Sequence, residues 1–582
     1  MPHQTSASQS ATSTNATNVH NIVVIGGVAG GMSAAARARR IAETANIIVL
    51  EKGAEVSFAN CGLPYYVGGE IATADKLQVQ TPQSLGASLN LDVRIHSEAT
   101  HLDHTAQTVT VIHTDPTTGD TDSYTLPYDA LILSPGGVAI TPPISGIDSP
   151  RVRTLRTVPD AIAMRNTVEA GAKRAVVLGA GFIGLEAAEA LEAQGLEVHV
   201  VELADHVLPP LDTEIADVVT KELTRLGMHL HTGVAAQSIE HHDTHDTVIL
   251  ADGTRIDTDL VVLSVGVRPD TQVFQDAGLD TERGAIIVNN HGQTNLPNVW
   301  AVGDATLSTD AVTGIRRPVA LAGPANRAGR LVADHIINPA TARPIPQPVG
   351  TAIVRIGEYG VAMTGASRKV LTDAGIAFHS IYLHPLNHAG YFPGANAISL
   401  VVHFAQADGR ILGAQAAAKD GADKRIDVLA TAIRAGMNIE DLIDLDLAYS
   451  PPFGQAKDPV NLAGMNGANV MSGAIRLWYP WQLQQMRDNA LILDVRGAGE
   501  YAGGHVPGAL NIAHTDLRER LDEVREAAAG RPVRVMCHSG MRSYLAHRIL
   551  DQAGFDSATL SGGMLTLKAH LGDAAHDILV TE

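Results

Sequence analysis

The apolar positions of this chain come in short runs that stop at glycine. Asn21–Ile25 (NIVVI) predicts a strand, and the cluster Gly26-Gly27-Val28-Ala29-Gly30-Gly31 follows it directly. The Ala/Arg-rich stretch Met32–Ile41 predicts a helix, and Asn46–Leu50 (NIIVL) a second strand ending at Glu51, 20 residues beyond Gly31. Strand, glycine turn, helix, strand and acid in this order predict a dinucleotide site. The helix N-terminus offers free N–H groups and a positive dipole end to a pyrophosphate, and the acid bonds a ribose hydroxyl. Val28 stands where the middle glycine of such a turn is expected. The unit recurs as Arg174–Leu178 (RAVVL), Gly179-Ala180-Gly181-Phe182-Ile183-Gly184, a helix over Leu185–Ala193, and the strand Glu197–Val201 ending at Glu202. Two such units about 150 residues apart imply two different dinucleotides. Glu202 would bond a free 2′-hydroxyl and repel a 2′-phosphate, which favours NADH and leaves NADPH possible.

Asn298–Ala305 (NVWAVGDA) predicts a strand ending in Gly303-Asp304. It resembles the second flavin motif of two-dinucleotide flavoproteins, where the Asp bonds the ribitol and phosphate region of FAD. Tyr128–Gly137 (YDALILSPGG) and Leu260–Pro269 (LVVLSVGVRP) resemble the two linker motifs of the same superfamily. The chain therefore reads as an FAD domain, interrupted by a nicotinamide domain and then resumed. Arg343–Pro348 (RPIPQP) looks like a linker, and mixed structure follows to near Gly473. In the last segment, strands are expected at Leu491–Val495 and Val533–Met536. The second runs into Cys537-His538-Ser539-Gly540-Met541-Arg542-Ser543 and a helix from about Tyr544.

Composition narrows the function classes. A chain of 582 residues suggests about four domains. With 45% hydrophobic and 18% charged residues it is not disordered throughout. A net charge of −20 argues against general nucleic-acid binding and anionic membrane surfaces. Two cysteines exclude a disulfide framework and a Cys-rich zinc site, and suit a cytoplasmic setting. No run approaches the ~18 apolar residues of a membrane helix. Residues 1–20 are Ser/Thr/Asn-rich without a signal-type apolar core and read as a disordered tail. His241, His242 and His245 lie in a polar stretch that reads as a solvated loop, so no metal is expected.

The cysteines carry the candidate chemistry. The loop from Cys537 to Arg542 would curl its N–H groups inward, and the helix dipole and Arg542 would lower the thiol pKa. Cys-x-x-Gly-x-Arg-Ser, with upstream Asp494-Val495-Arg496 and His505-x-Pro-Gly-Ala and downstream Leu560-Ser561-Gly562-Gly563, resembles a rhodanese domain, in which the cysteine carries a persulfide. Cys61 lies in Ser57-Phe58-Ala59-Asn60-Cys61-Gly62-Leu63-Pro64-Tyr65-Tyr66. Dithiol flavoenzymes place a second cysteine where this chain has Tyr66. The oxidised form of Cys61 must then be a mixed disulfide, a persulfide or a sulfenic acid.

This motif resembles that of coenzyme A-disulfide reductases. His388-Ala389-Gly390-Tyr391, Asp423-Lys424-Arg425-Ile426-Asp427, Tyr449-Ser450-Pro451-Pro452 and Ala456-Lys457-Asp458-Pro459 extend the likeness. With the rhodanese tail, the whole resembles coenzyme A-disulfide reductase–rhodanese fusions, the group that includes NADH-dependent persulfide and polysulfide reductases. That implies an α/β protein with two Rossmann-like domains for FAD and NAD, an α+β dimerisation domain and a C-terminal α/β rhodanese domain. The expected spans are 21–160 and 286–345 for FAD, 161–285 for NAD(P)H, 346–473 for dimerisation and 474–582 for rhodanese. It implies that reducing equivalents pass from NADH through FAD to Cys61, whose thiolate attacks sulfane or disulfide sulfur. Cys537 would supply sulfur, with Arg542 beside it. The implied FAD residues are Gly26, Val28, Ala29, Gly30, Gly31, Glu51, Lys52, Ser134, Pro135, Gly136, Gly303, Asp304 and Ala322. For NAD they are Gly179, Gly181, Phe182, Ile183, Gly184, Glu202 and Gly266. Asn60, Ser57 and Phe58 would line the thiol pocket, and Arg37, Arg40, Lys424 and Arg425 would meet coenzyme A phosphates. Tyr391 and Tyr449 would reach across a homodimer interface to the sulfur. The alternative is an NADH oxidase or peroxidase working through a Cys61 sulfenic acid; Ala29 stands where those relatives tend to carry His.

Overall fold

The computed structural model describes residues 19–581, so the tail expected over 1–20 falls, up to residue 18, outside the described residues. Asn21–Ile25 is the central strand of a five-stranded parallel sheet, ordered Val299–Ala301, Ala130–Leu133, Asn21–Ile25, Asn46–Leu50, Asp92–Arg94. Its apolar runs are continuous because both faces are covered. Ile22, Val24, Ile47 and Val49 pack under the helices Ala29–Ile41 and Ala322–Ile337. Val23, Ile25, Ile48 and Leu50 pack under an antiparallel meander, Ser97–Asp103, Thr108–Thr114 and Thr121–Pro127.

A second parallel sheet, ordered His229–Thr232, Glu197–Glu202, Arg174–Leu178, Leu260–Leu263, Val152–Arg153, repeats the plan. The helices Phe182–Ala193 and Thr213–Arg225 cover one face, and the antiparallel strands Ala236–His241, Asp246–Leu250 and Arg255–Thr258 the other. A third, antiparallel sheet runs Ala352–Ile356, Tyr359–Gly365, Ile411–Ala418, Ser399–Ala405, Phe378–Leu383. Every residue of Ile411–Ala418 is buried, between the helices Ala422–Ala435 and Pro459–Met471 on one side and the core of the second nucleotide unit on the other. The C-terminal sheet is parallel, ordered Leu477–Trp478, Ser557–Leu560, Val533–Met536, Leu491–Asp494, Leu510–Asn511. It is anchored to the third sheet by hydrogen bonds from Tyr382 N–H to Ser561 Oγ (3.0 Å) and Ser380 N–H to Tyr479 Oη (3.2 Å). Among the described residues no helix is long and apolar enough to cross a membrane.

Three helices start earlier than their composition predicts: at Ala29, Phe182 and Met541 rather than Met32, Leu185 and about Tyr544. The glycine-rich turns supply poor helix formers, yet the packing of the turns carries the helix back to them. The strand expected over Asn298–Ala305 is confined to Val299–Ala301, leaving Gly303-Asp304 in a loop at the sheet's end.

Candidate active site

A cavity of about 410 Å³ opens at the C-terminal ends of the first sheet. Its lining brings together Gly26, Val28, Ala29, Gly30, Glu51, Lys52, Ser134, Pro135, Gly136, Gly303 and Asp304, joined by Phe58 and Asn60 of the thiol segment. Two glycines build the turn. Gly26 has φ +95°, and a Cβ there would overlap the Ser134 carbonyl. Gly31 does not line the cavity; a Cβ on it would collide with the Gly26 carbonyl oxygen. The second unit repeats the collision between Gly184 and Gly179. Gly31→Ala is therefore expected to open the turn and yield protein with little bound flavin, read from its visible absorbance per chain.

The acid after each unit does more than the sequence predicts. Glu51 accepts the N–H groups of Gly27 (2.9 Å) and Gly53 (2.8 Å). Glu202 accepts those of Ala180 (2.7 Å) and Ala204 (2.9 Å). Each carboxylate thus ties its own glycine turn to the strand end, and its remaining lone pairs are available to a ribose. Lys52 pairs with Asp270 (2.5 Å). Ala322 is exposed and does not line the cavity; Ala325, almost one turn further along the helix, does. Phe182 and Ile183 open the second nucleotide helix, and Gly266 sits at φ +118° after the strand Leu260–Leu263.

Cys61 lies in the single turn Asn60–Gly62 ahead of the short helix Leu63–Val67, and its residue is exposed. Ser57, just upstream, holds φ +48°, rare for a residue with a Cβ. Partial desolvation pushes the Cys61 thiol up, and the charges of Glu186 and Asp304 add to this. Asp304 comes from the flavin-type motif and Glu186 from the second nucleotide helix, so Cys61 sits between the two units. The sequence reading missed Glu186. It faces Tyr65 Oη at 3.4 Å, and burial raises its own carboxyl. Glu186 is the first of three acids spaced three apart along that helix, with Glu189 and Glu192, and no signal in the sequence sets it apart from them.

Tyr391 Oη lies 3.4 Å from Tyr449 Oη, on a face where Tyr391 is 78% and Phe453 73% exposed. The four basic residues expected at phosphates divide. Arg40 is exposed and Lys424 partly so. Arg37 is instead engaged by Asp334 (2.5 Å), linking two helices of the first unit. Arg425 is buried, 2.8 Å from Asp458, and donates to the Asn387 carbonyl (2.8 Å). It faces into its domain because the next helix caps onto the same Asp458, whose Oδ1 accepts Val460 N–H (3.1 Å).

In the C-terminal unit Cys537 is buried at the end of Val533–Met536. Its Sγ accepts Gly540 N–H (3.1 Å) and lies 3.4 Å from Ser543 Oγ. The inward-turned N–H is as expected. Arg542, expected beside the thiol, is held bidentately by Glu500 at 2.6 and 2.8 Å, which brings the Glu500 carboxyl down to about 2. Both cysteines are free.

Two glycine-turn nucleotide folds with a thiol segment reaching into the first cavity define a two-nucleotide redox enzyme. Residues 20–329 match the pyridine nucleotide-disulphide oxidoreductase family, 351–459 its dimerisation domain and 480–570 the rhodanese-like domain. The chain belongs to the pyridine nucleotide-disulphide oxidoreductase family, which implies FAD and NAD(H). The turn, the helix end and the open approach at the first cavity fit such a dinucleotide. A coenzyme A disulfide reductase of Staphylococcus haemolyticus is 31% identical over 78% of this chain and all of its own length. The structure of reduced Bacillus anthracis CoADR-RHD is 37% identical, with TM-score 0.93, covering 97% of this chain and 100% of that one. An NAD-dependent persulfide reductase from A. fulgidus is 35% identical, with TM-score 0.86, over 94% and 99%.

Proposed function

We propose that this protein is a homodimeric FAD-dependent NADH:coenzyme A-disulfide, persulfide or polysulfide reductase with Cys61 as nucleophile. One observation carries the reading: the thiol beside the first nucleotide cavity is solitary. Tyr66 is buried where a ring-closing cysteine would stand, and Cys537 belongs to a different unit. Such a thiol exchanges with an external sulfur. The relatives above, a coenzyme A disulfide reductase and a persulfide reductase, support that class of substrate.

The Cys61 thiolate attacks one sulfur of coenzyme A disulfide, forming a Cys61–coenzyme A mixed disulfide and expelling a coenzyme A thiolate. With coenzyme A persulfide, attack on the inner sulfur forms the same mixed disulfide and expels hydrosulfide. FAD, which the Gly26 turn, Glu51 and Ser134–Gly136 would hold at the first cavity, would supply the electron pair, drawn from NADH, that returns the mixed disulfide to two thiolates. Desolvation and the chain's own carboxylates disfavour the thiolate, so Tyr391 and Tyr449, on an exposed face of the dimerisation domain, are assigned to donate hydroxyls to the sulfur of the other protomer. Coenzyme A phosphates fall to Arg40 and Lys424.

The test is the intact mass of the protein whose Cys61 has been reduced to the free thiol and freed of reductant, then treated with coenzyme A disulfide in the absence of NADH. The expected result is one coenzyme A adduct per chain, on Cys61, that disappears on adding NADH. Turnover of NADH and coenzyme A disulfide with no such adduct overturns the reading. Cys537 is assigned to carry sulfur as a persulfide from a donor to coenzyme A or to Cys61. Cys537→Ser is accordingly expected to abolish sulfur transfer from a sulfane donor while coenzyme A disulfide reduction continues. The two rates are measured side by side on one preparation.

A further inference from the structure

The edge of the second nucleotide sheet carries a cluster of ligand side chains outside the redox and sulfur sites. Glu197–Glu202 and His229–Thr232 pair in parallel, with His199 opposite His229 and Val201 opposite His231. Alternate strand residues share a face, so Glu197 and His199 stand beside His229 and His231. The His199 and His229 rings stack with centroids 4.5 Å apart. Glu197 Oε1 lies 3.4 Å from His199 Nε2 and 3.7 Å from His229 Nε2. One ligand atom from each of these three residues lies within 4.8 Å of the others.

That spacing is close to what a metal requires. Zinc–nitrogen and zinc–oxygen bonds of about 2.1 Å at tetrahedral angles separate neighbouring ligand atoms by about 3.4 Å. Glu197 and His229 are exposed, so their side chains can close the remaining gap without moving the backbone. The other nitrogen of His199 is already engaged: Nδ1 lies 3.0 Å from His231 Nε2. A second imidazole on the far nitrogen is the outer-shell contact that fixes the orientation of a ligating histidine. Two imidazoles and a carboxylate suit zinc and its transition-metal neighbours, whereas magnesium and calcium take all-oxygen sets.

We propose that Glu197, His199 and His229 bind a divalent ion of the zinc class, with His231 as positioning residue, and that the ion staples the edge strand His229–Thr232 to its neighbour. The test uses the full-length, flavin-loaded chain with Cys61→Ser and Cys537→Ser, so that no thiolate competes. After chelator treatment it is titrated with zinc chloride by calorimetry, and thermal unfolding is followed with and without the ion. The expected result is one saturable zinc site per chain and an upward shift of the unfolding midpoint, which magnesium does not produce. His199→Ala and His229→Ala should each remove both effects, and His231→Ala should weaken binding by about 10- to 100-fold. Absence of saturable zinc binding overturns the proposal. So does binding that survives His199→Ala and is lost instead with His241→Ala on the neighbouring hairpin.

Discussion

Cys61→Ser is expected to lower NADH-dependent coenzyme A disulfide reduction by at least about a thousandfold, the scale of losing a covalent nucleophile. Oxygen is smaller than sulfur, but in an exposed one-turn segment the change leaves no void in the core. The fold and the flavin cleft, built from Gly26, Gly31, Glu51 and Ser134, are therefore retained. A serine hydroxyl cannot form the mixed disulfide, and its proton is not lost near neutral pH. The preparation should stay yellow, and its flavin should still be bleached by NADH without oxygen, because that exchange does not use the thiol. The informative measurement is the pair of rates: flavin bleaching preserved and disulfide turnover lost. Undiminished turnover of coenzyme A disulfide and persulfide in the variant would remove Cys61 from the mechanism. In the unsubstituted chain, NADH consumption in air that no sulfur compound changes and that Cys61→Ser abolishes would move the assignment towards the sulfenic-acid oxidase.

The parts of this architecture that were legible in the sequence are those in which one short segment sets its own structure. The runs Asn21–Ile25, Asn46–Leu50 and Arg174–Leu178 appear as strands with the expected ends, because beyond the first residue each is apolar on both faces and bounded by glycine, charge or a loop; Val533–Met536 does so too, with Arg534 as its one charged position. The glycine turns were legible because their backbone conformation excludes other residues. Side-chain partners distant in sequence were not. Nothing in the helix around Arg37 announces Asp334, and nothing near Arg542 announces that Glu500 claims its guanidinium. Lys424 and Arg425 are adjacent in sequence, yet the first stays partly exposed and the second is buried, since neighbours on a helix point about 100° apart. Docking of the C-terminal unit was likewise invisible. It rests on single contacts such as His570 Nδ1 to Glu214 Oε1 (2.9 Å) and His384 Nε2 to Thr566 Oγ1 (2.8 Å). Burial, with the nearby His538, brings His384 down to about 4, so it stays neutral at that junction.

Arg425→Ala is expected to destabilise the dimerisation domain by about 3–5 kcal/mol, the cost of leaving one member of a buried ion pair without its partner. The side chains of Arg425 and Asp458 are 2% and 4% exposed, and their nitrogen and oxygen lie 2.8 Å apart. Lys424 Nζ is 3.6 Å from the same carboxylate but partly exposed, so it offsets only part of the loss. Removing Arg425 also frees the Asn387 carbonyl and loosens the link between Ala422–Ala435 and Pro459–Met471. The check is chemical unfolding of the holoenzyme, together with the KM for coenzyme A disulfide. A contact with substrate phosphate would raise KM and leave stability unchanged. The buried-pair account requires the reverse order, with stability falling first. It also requires that Arg425→Met combined with Asp458→Asn recover much of the loss, because the double change leaves no unpaired charge in the interior. Activity should fall along with stability, since Lys424 donates to the Ala448 and Phe453 carbonyls on either side of Tyr449. The helix that bears Arg425 thereby holds the segment assigned to reach the reacting sulfur.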